Sequence, residues 1–237
     1  MLPDTAEAFG RNMVRSGEKT LSALDLSADR KRALELIPVA RETAERLDRY
    51  VELLLQWQKK INLIASSTVP EIWTRHIADS LQLVSLAPTA RVWVDLGSGA
   101  GFPGLVVACA LMGQAGARVH LVESTKKKAV FLEEVARALG LPVIVHPVRI
   151  EDFVKTFRER PDIVTARALA PLADLLDLAA PLLKTGAKGL FLKGQDVEAE
   201  LTQAAKCWTI NSTLAPSKTS PQGRIIVIHS AVRHNKQ

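Results

Sequence analysis

The sequence predicts an α/β fold: a doubly wound, seven-stranded, mostly parallel sheet with one antiparallel strand, preceded by an N-terminal helical element. Three observations carry this. The patterning changes at residue 91. From there, short apolar runs alternate with amphipathic helical stretches, as in a parallel sheet covered by helices on both faces. The last two runs are separated only by a turn, Ala215 to Gly223, which contains Pro216 and Pro221. So short a connection cannot make a parallel crossover, so this pair is expected to be an antiparallel hairpin.

The runs read as strands are Val92–Leu96, Val119–Glu123, Val143–Val148, Ile163–Ala166, Gly189–Lys193, Trp208–Leu214 and Arg224–Ile228. Before residue 91 the period is helical. Ser27 is placed to cap a short helix through Leu36, stopped near Pro38. Leu47, Val51, Leu54 and Ile61 recur at helical spacing, flanked by Tyr50 and Trp57. Thr68 is placed to cap a third helix with Pro70 in its first turn, carrying Ile72, His76, Asp79 and Leu83. The expected organisation is a flexible tail over 1–26, a helical element over 27–90 packed on the core, and a cofactor-binding domain over 91–237.

With 237 residues, 47% of them apolar and 24% charged, the chain can bury a sizeable core and is not disordered in bulk. The net charge is +6. Residues 1–90 balance, with 12 Lys+Arg against 12 Asp+Glu; residues 91–237 hold 19 against 13 and carry the whole excess. A basic half attracts polyanions, although a charge of this size also suits an ordinary solvated surface. The two cysteines, Cys109 and Cys207, have no metal-ligand spacing. No signal-peptide core and no apolar run near the ~20 residues of a membrane span is present. The expectation is a soluble cytoplasmic protein, without metal or membrane partner, acting as a monomer.

The most informative segment runs Val92-Trp93-Val94-Asp95-Leu96-Gly97-Ser98-Gly99-Ala100-Gly101-Phe102-Pro103-Gly104. A buried strand enters alternating glycines and then a helix, at the carboxyl edge where open α/β sheets bind ligands. Gly99, Gly101 and Gly104 also match the dinucleotide fingerprint, a weak signal alone. Asp95 discriminates. A carboxylate beside the loop repels a pyrophosphate and attracts a ligand with an amino group and a sulfonium. It therefore favours S-adenosylmethionine over a nicotinamide dinucleotide, and an acid that merely caps the turn is compatible with the same site. Glu123 ends the next strand, where an acid can accept hydrogen bonds from ribose hydroxyls; its bland reading is a surface acid at a strand end. Glu151, with Asp152 beside it, follows the third strand, where an adenine amino group would lie, although helix starts favour acids in any case. The expected architecture is thus Rossmann-like, of the class I S-adenosylmethionine methyltransferase type.

Two reaction types are disfavoured. The Asn/Asp-Pro-Pro-aromatic motif usual for exocyclic amino groups is absent, the position reading Thr165-Ala166-Arg167-Ala168. Cytosine carbon-5 methylation needs a cysteine nucleophile, and Cys109 reads as a mid-helix core residue. A ring nitrogen such as guanine N7 already offers a lone pair and requires mainly positioning. Arg167, after the fourth strand, is the candidate positioning residue, for a cofactor carboxylate or an RNA phosphate. Arg75 and His76, with Asp79 on the same helical face, are candidates for substrate RNA or for a hydrogen-bonded cluster fixing the helical element. Lys126 and Lys127, with Lys128, and Lys193 before Gly194 are further RNA candidates, each also readable as a solvated or structural charge.

These residues together resemble the family of bacterial 16S ribosomal RNA guanine-N7 methyltransferases known as RsmG or glucose-inhibited division protein B. The resemblance covers about residues 40–230. It rests on Trp57-Gln58-Lys59-Lys60-Ile61-Asn62-Leu63, Arg75-His76-Ile77-Ala78-Asp79-Ser80, the glycine loop with its Phe102-Pro103-Gly104 extension, Glu123-Ser124-Thr125-Lys126-Lys127-Lys128, Thr165-Ala166-Arg167-Ala168 and Leu192-Lys193-Gly194. It implies S-adenosylmethionine as cofactor, held at Gly97, Phe102, Ile150, Glu151 and Arg167, with Glu123 in the ribose-acid place. It implies as substrate one guanine in the decoding-region loop of 16S rRNA, within the assembled small ribosomal subunit. The alternative is a methyltransferase acting on another RNA or on a protein. A nicotinamide-dependent oxidoreductase and a catalytically inactive RNA-binding module are the readings from other classes.

Overall fold

The computed structural model describes residues 25–234. The tail expected over 1–26 lies almost wholly outside them. The sheet has seven strands: β1 (Val92–Leu96), β2 (Arg118–Val122), β3 (Val143–His146), β4 (Ile163–Arg167), β5 (Lys188–Lys193), β6 (Trp208–Pro216) and β7 (Arg224–Arg233). Their order is β3-β2-β1-β4-β5-β7-β6. All pairings are parallel except β5 with β7 and β6 with β7, so β7 is the one reversed strand. The turn between β6 and β7 enforces this.

Each central strand is buried on both faces, which explains its continuous apolar run. Along β1, Trp93 joins one apolar cluster and Val94 and Leu96 the other. The first cluster lies under α1 (Ser27–Leu36), α2 (Arg41–Gln58), α3 (Asp79–Leu86), α4 (Gly104–Leu111) and α5 (Lys126–Leu139). The second lies under α6 (Ile150–Thr156), α7 (Leu172–Leu183) and α8 (Val197–Ala204). Strand alternation puts Asp95 on the Trp93 face, beneath the start of α4.

The helices before β1 bind the sheet through a few specific groups. On α2, Leu47, Tyr50, Val51 and Leu54 form the buried stripe. Tyr50 donates its hydroxyl to the Ala100 carbonyl in the glycine loop at 2.5 Å. Trp57 donates Nε1 to Glu134 on α5 at 3.1 Å.

The structure corrects two capping expectations. Ser27 is already helical, and its N–H is met by the Asp25 carboxylate at 2.9 Å. The single helix expected from Thr68 divides into a 3₁₀ helix at Ser66–Glu71, a π-helix at Trp73–Ala78 and then α3. Asp29 on α1 explains how the π-helix begins. Its carboxylate accepts the Trp73 and Thr74 N–H groups at 2.8 and 3.2 Å, and the Thr74 hydroxyl as well. At the other end, Ser80 donates to the His76 carbonyl at 2.6 Å, satisfying a group in the widened turn.

Asp29→Ala strands these donors in a buried place, at a cost of about 1–3 kcal/mol. Thermal unfolding is expected to shift down by about 2–4 °C per kcal/mol for a chain of this size. An unchanged midpoint would show that Asp29 does not hold the π-helix.

Candidate active site

β1 ends at Leu96 and the chain turns through Gly97, Gly99 and Gly101, with φ of +69°, +55° and +95°. A side chain is strained at each. At Gly101 a Cβ would also meet Leu105 Cδ1 at 2.3 Å and the Tyr50 hydroxyl at 2.9 Å. Space beside Gly99 is open, with only the Gly97 carbonyl near, at 3.8 Å. The loop is therefore crowded from below and bare where a ligand would approach.

Two carboxylates hold the loop. Asp95 is 1% exposed. It accepts the Thr165 hydroxyl at 2.7 Å and the Gly104 N–H, at the start of α4, at 3.2 Å. Burial pushes its pKa up to about 6, against those hydrogen bonds and Arg167, which lower it. The carboxylate thus braces the turn, the arrangement the sequence offered as compatible with a cofactor site. Glu123 follows β2. Its carboxylate accepts the Gly99 N–H at 2.9 Å and the Thr125 N–H at 2.7 Å. Each oxygen keeps a lone pair, so the group is both a loop brace and an available acceptor.

Phe102 reaches from the loop to two residues, His76 and Arg167, that wall the substrate side. Its ring stacks on His76 with centroids 4.9 Å apart, and the Arg167 guanidinium lies over it at 5.0 Å. Tyr50 meets it at 5.4 Å. Arg167 ends β4 and donates to the Arg75 carbonyl at 3.2 Å. Burial lowers its pKa, opposed by Asp79, Tyr50 and Asp95. His76 pairs through Nε2 with Thr68 at 2.9 Å. Burial, with Arg167 and Arg75 nearby, lowers its pKa to about 3, so the imidazole is neutral.

Beyond this wall opens a cavity of about 1020 Å³. Arg75, His76 and Asp79 border it from the helical element, Arg167 to Pro171 from the β4 edge, and Ser217, Thr219 and Arg224 from the β6–β7 turn. Leu169 lines this cavity and also stands beside Gly97, so the cavity and the glycine loop are neighbours. Burial raises the pKa of Asp79, against hydrogen bonds from Thr219, Ser217 and Gln82 and the charge of Arg167.

The remaining candidates divide. Ile150 and Glu151 open α6, Ile150 packed on the second cluster and Glu151 exposed. Lys126 and Lys127 are exposed at the start of α5, where the helix dipole disfavours cations, and no ion pair among the described residues engages them. Lys193 lines the cavity and is already paired. Its side chain is 9% exposed, and its ammonium is bound by Glu200 at 2.6 Å and the Ala170 carbonyl at 2.7 Å. It secures the Ala168–Pro171 loop. Cys109 is buried in α4, with its thiol pushed up to about 12, and Cys207 is exposed far along the chain. Sequence reading missed Tyr50, Thr165 and Glu200 as site supports, and Ser217, Thr219 and Arg224 as lining. The β6–β7 turn carried no signal beyond its Pro and Gly.

Protonation of His76 gives a test. The folded imidazole titrates near 3, against 6.5 for the exposed group, so between these values the unfolded chain binds a proton that the folded chain refuses. The stability this group confers is complete above pH 6.5 and is lost as pH falls toward 3. Asp95, raised from 3.8 to about 6, has the opposite slope, but it is present in both proteins and cancels in a difference. The melting temperature of His76→Gln relative to the unaltered protein is therefore expected to rise as pH falls from about 7 to about 4. Parallel profiles would show that His76 is not held neutral.

Comparison with known proteins agrees with this architecture. The family described as rRNA small subunit methyltransferase G, GidB, matches residues 43–224, more than half of the chain. A protein named ribosomal RNA small subunit methyltransferase G from Bradyrhizobium sp. (strain BTAi1) is 59% identical over 210 residues, covering 89% of this chain and 95% of its own. Another of that name, from Nitrobacter hamburgensis, is 56% identical over 94% of this chain and 84% of its own. Among solved structures, an O-methyltransferase from Bacillus cereus in complex with SAH has a TM-score of 0.58 at 15% identity, covering 89% of this chain and 100% of that one. The O-methyltransferase TomG from Streptomyces achromogenes, in complex with SAM, has a TM-score of 0.54 at 16% identity, covering 82% and 92%. These two likenesses are of fold; sequence carries the kinship, and the chain belongs to the GidB family of small-subunit rRNA methyltransferases.

Proposed function

We propose that this protein methylates N7 of one guanine in 16S rRNA, using S-adenosylmethionine, with the small ribosomal subunit as substrate. The family membership supports rRNA methylation. One observation favours a ring nitrogen: the chain after β4 reads Thr165-Ala166-Arg167-Ala168, without the Asn/Asp-Pro-Pro-aromatic run usual for methylation of an exocyclic amino group. Guanine N7 has no proton to lose.

The residues fit the cofactor. The positive-φ glycines, the open space at Gly99 and the strand-end acid Glu123 make a cradle for a nucleoside with a charged tail. When bound, S-adenosylmethionine supplies a methyl group on a sulfonium. Gly97, Gly99, Gly101 and Phe102 would hold it from the loop, Glu123 from the ribose side, and Ile150 and Glu151 from the adenine side. Asp95 fixes the loop and adds negative charge beneath it. Arg167 uses one N–H on Arg75, leaving others to face the cavity, where they would orient the cofactor carboxylate or a phosphate. Arg75, Lys126 and Lys127 would meet the RNA backbone. In this reading residues 27–90 cap a methyltransferase domain at 91–237, and the enzyme works in the cytoplasm as a monomer. No described helix is long and apolar enough to cross a membrane.

The test is to incubate the protein with small subunits lacking the modification and with labelled S-adenosylmethionine, and to map label by cleavage selective for 7-methylguanine. Label at one guanine of the decoding-region loop is expected. Label elsewhere, or at another atom, would overturn the reading.

A further inference from the structure

Asp79 stands where the π-helix gives way to α3, and it lines the cavity together with Arg167 and the β6–β7 turn. Its two carboxylate oxygens are used unequally. Oδ1 accepts Thr219 Oγ1 at 2.7 Å, Gln82 Nε2 at 2.8 Å and Ser217 Oγ at 3.4 Å. Gln82 is itself fixed, since its side-chain oxygen accepts the Lys218 N–H at 3.0 Å. Oδ2 accepts no hydrogen bond from the described residues, and it is not among the buried atoms left without a partner. Three donors from two elements thus pin the carboxylate and leave one oxygen, with both lone pairs, open to solvent.

That arrangement has a use the methyl-transfer chemistry leaves unmet. N7 carries a lone pair in adenine as in guanine, so attack at N7 does not by itself select the base. Selection must come from another edge. Guanine presents two adjacent donors, N1–H and the 2-amino group, on the edge away from N7. Adenine presents an acceptor at position 1, whose lone pair a carboxylate repels.

The geometry points to Asp79 as the residue that selects the target base, accepting the N1–H and 2-amino N–H of guanine on Oδ2 while N7 is left exposed to the methyl donor. This rests on the guanine-N7 reading above and adds the source of its base specificity. An acceptor matched to substrate donors discriminates once the bound base covers it, because the wrong base then shuts out water and leaves it unpaired.

Asp79→Asn tests it. The Gln82 and Thr219 donors keep the amide oxygen in the Oδ1 place, so the amide NH₂ takes the place of Oδ2 and an acceptor becomes a donor. The full-length variant and the unaltered protein are compared on small subunits with guanine, and on subunits reconstituted with adenine, at the target position. The variant is expected to lose about 10- to 100-fold in methylation of guanine. Its guanine-to-adenine ratio is expected to fall further than overall activity, with S-adenosylhomocysteine affinity unchanged. A purely structural role would slow both substrates alike and leave the ratio intact, which would overturn the inference. A second comparison needs only the unaltered protein. With inosine at the target, one donor is gone, and methylation is expected to slow about tenfold. Equal rates on inosine and guanine would overturn the inference even if Asp79→Asn fails to fold. Failure of the parent reading has a different signature: the unaltered protein would then not label guanine N7 at all.

Discussion

The site depends on Phe102 meeting both His76 and Arg167. The three come from three different parts of the chain: the glycine loop, the π-helix and the end of β4. A neutral imidazole stacked on the ring sits near the guanidinium without charge repulsion, and burial favours that uncharged form of His76. A protonated His76 would put two cations against one ring. The stack therefore joins the helical element to the sheet and sets one wall for both the loop and the cavity. Tyr50 adds a second tie, since its ring meets Phe102 and its hydroxyl holds the loop carbonyl of Ala100.

Around that wall, acids and bases are arranged to immobilise backbone. Asp95 and Glu123 fix the glycine loop from below and from the side, Asp79 fixes the β6–β7 turn, and the Lys193–Glu200 pair fixes the Ala168–Pro171 loop. Burying Asp95 is costly as a charge, as its raised pKa records, and the α4 N-terminus and the Thr165 hydroxyl offset that cost. The return is preorganisation: a loop that does not have to be ordered when ligand and RNA arrive.

The sheet was legible because burial on both faces writes itself as short apolar runs, and because the Ala215–Gly223 turn is too short for a crossover. The glycine loop was legible because positive φ and crowding demand glycine at fixed places. What the sequence did not disclose is what depends on contacts between distant residues. Asp79 and Thr219 are 140 positions apart, and Lys193 finds its carbonyl partner at Ala170 only after β5 is laid beside β4. Local sequence shows the charge of Lys193 but not its partner. The π-helix was hidden for the same reason, since its N-terminal donors are met by Asp29, which lies 44 residues before Trp73.

The most direct test of this account is a double-mutant cycle between Phe102→Leu and Arg167→Lys, read as affinity for S-adenosylhomocysteine and as rate of rRNA methylation. If the ring and the guanidinium form one wall, the two losses are coupled, with an interaction of about 0.5–3 kcal/mol beyond their sum. Losses that add to within about 0.5 kcal/mol in both readouts would contradict it, and would mean that loop and β4 edge act independently.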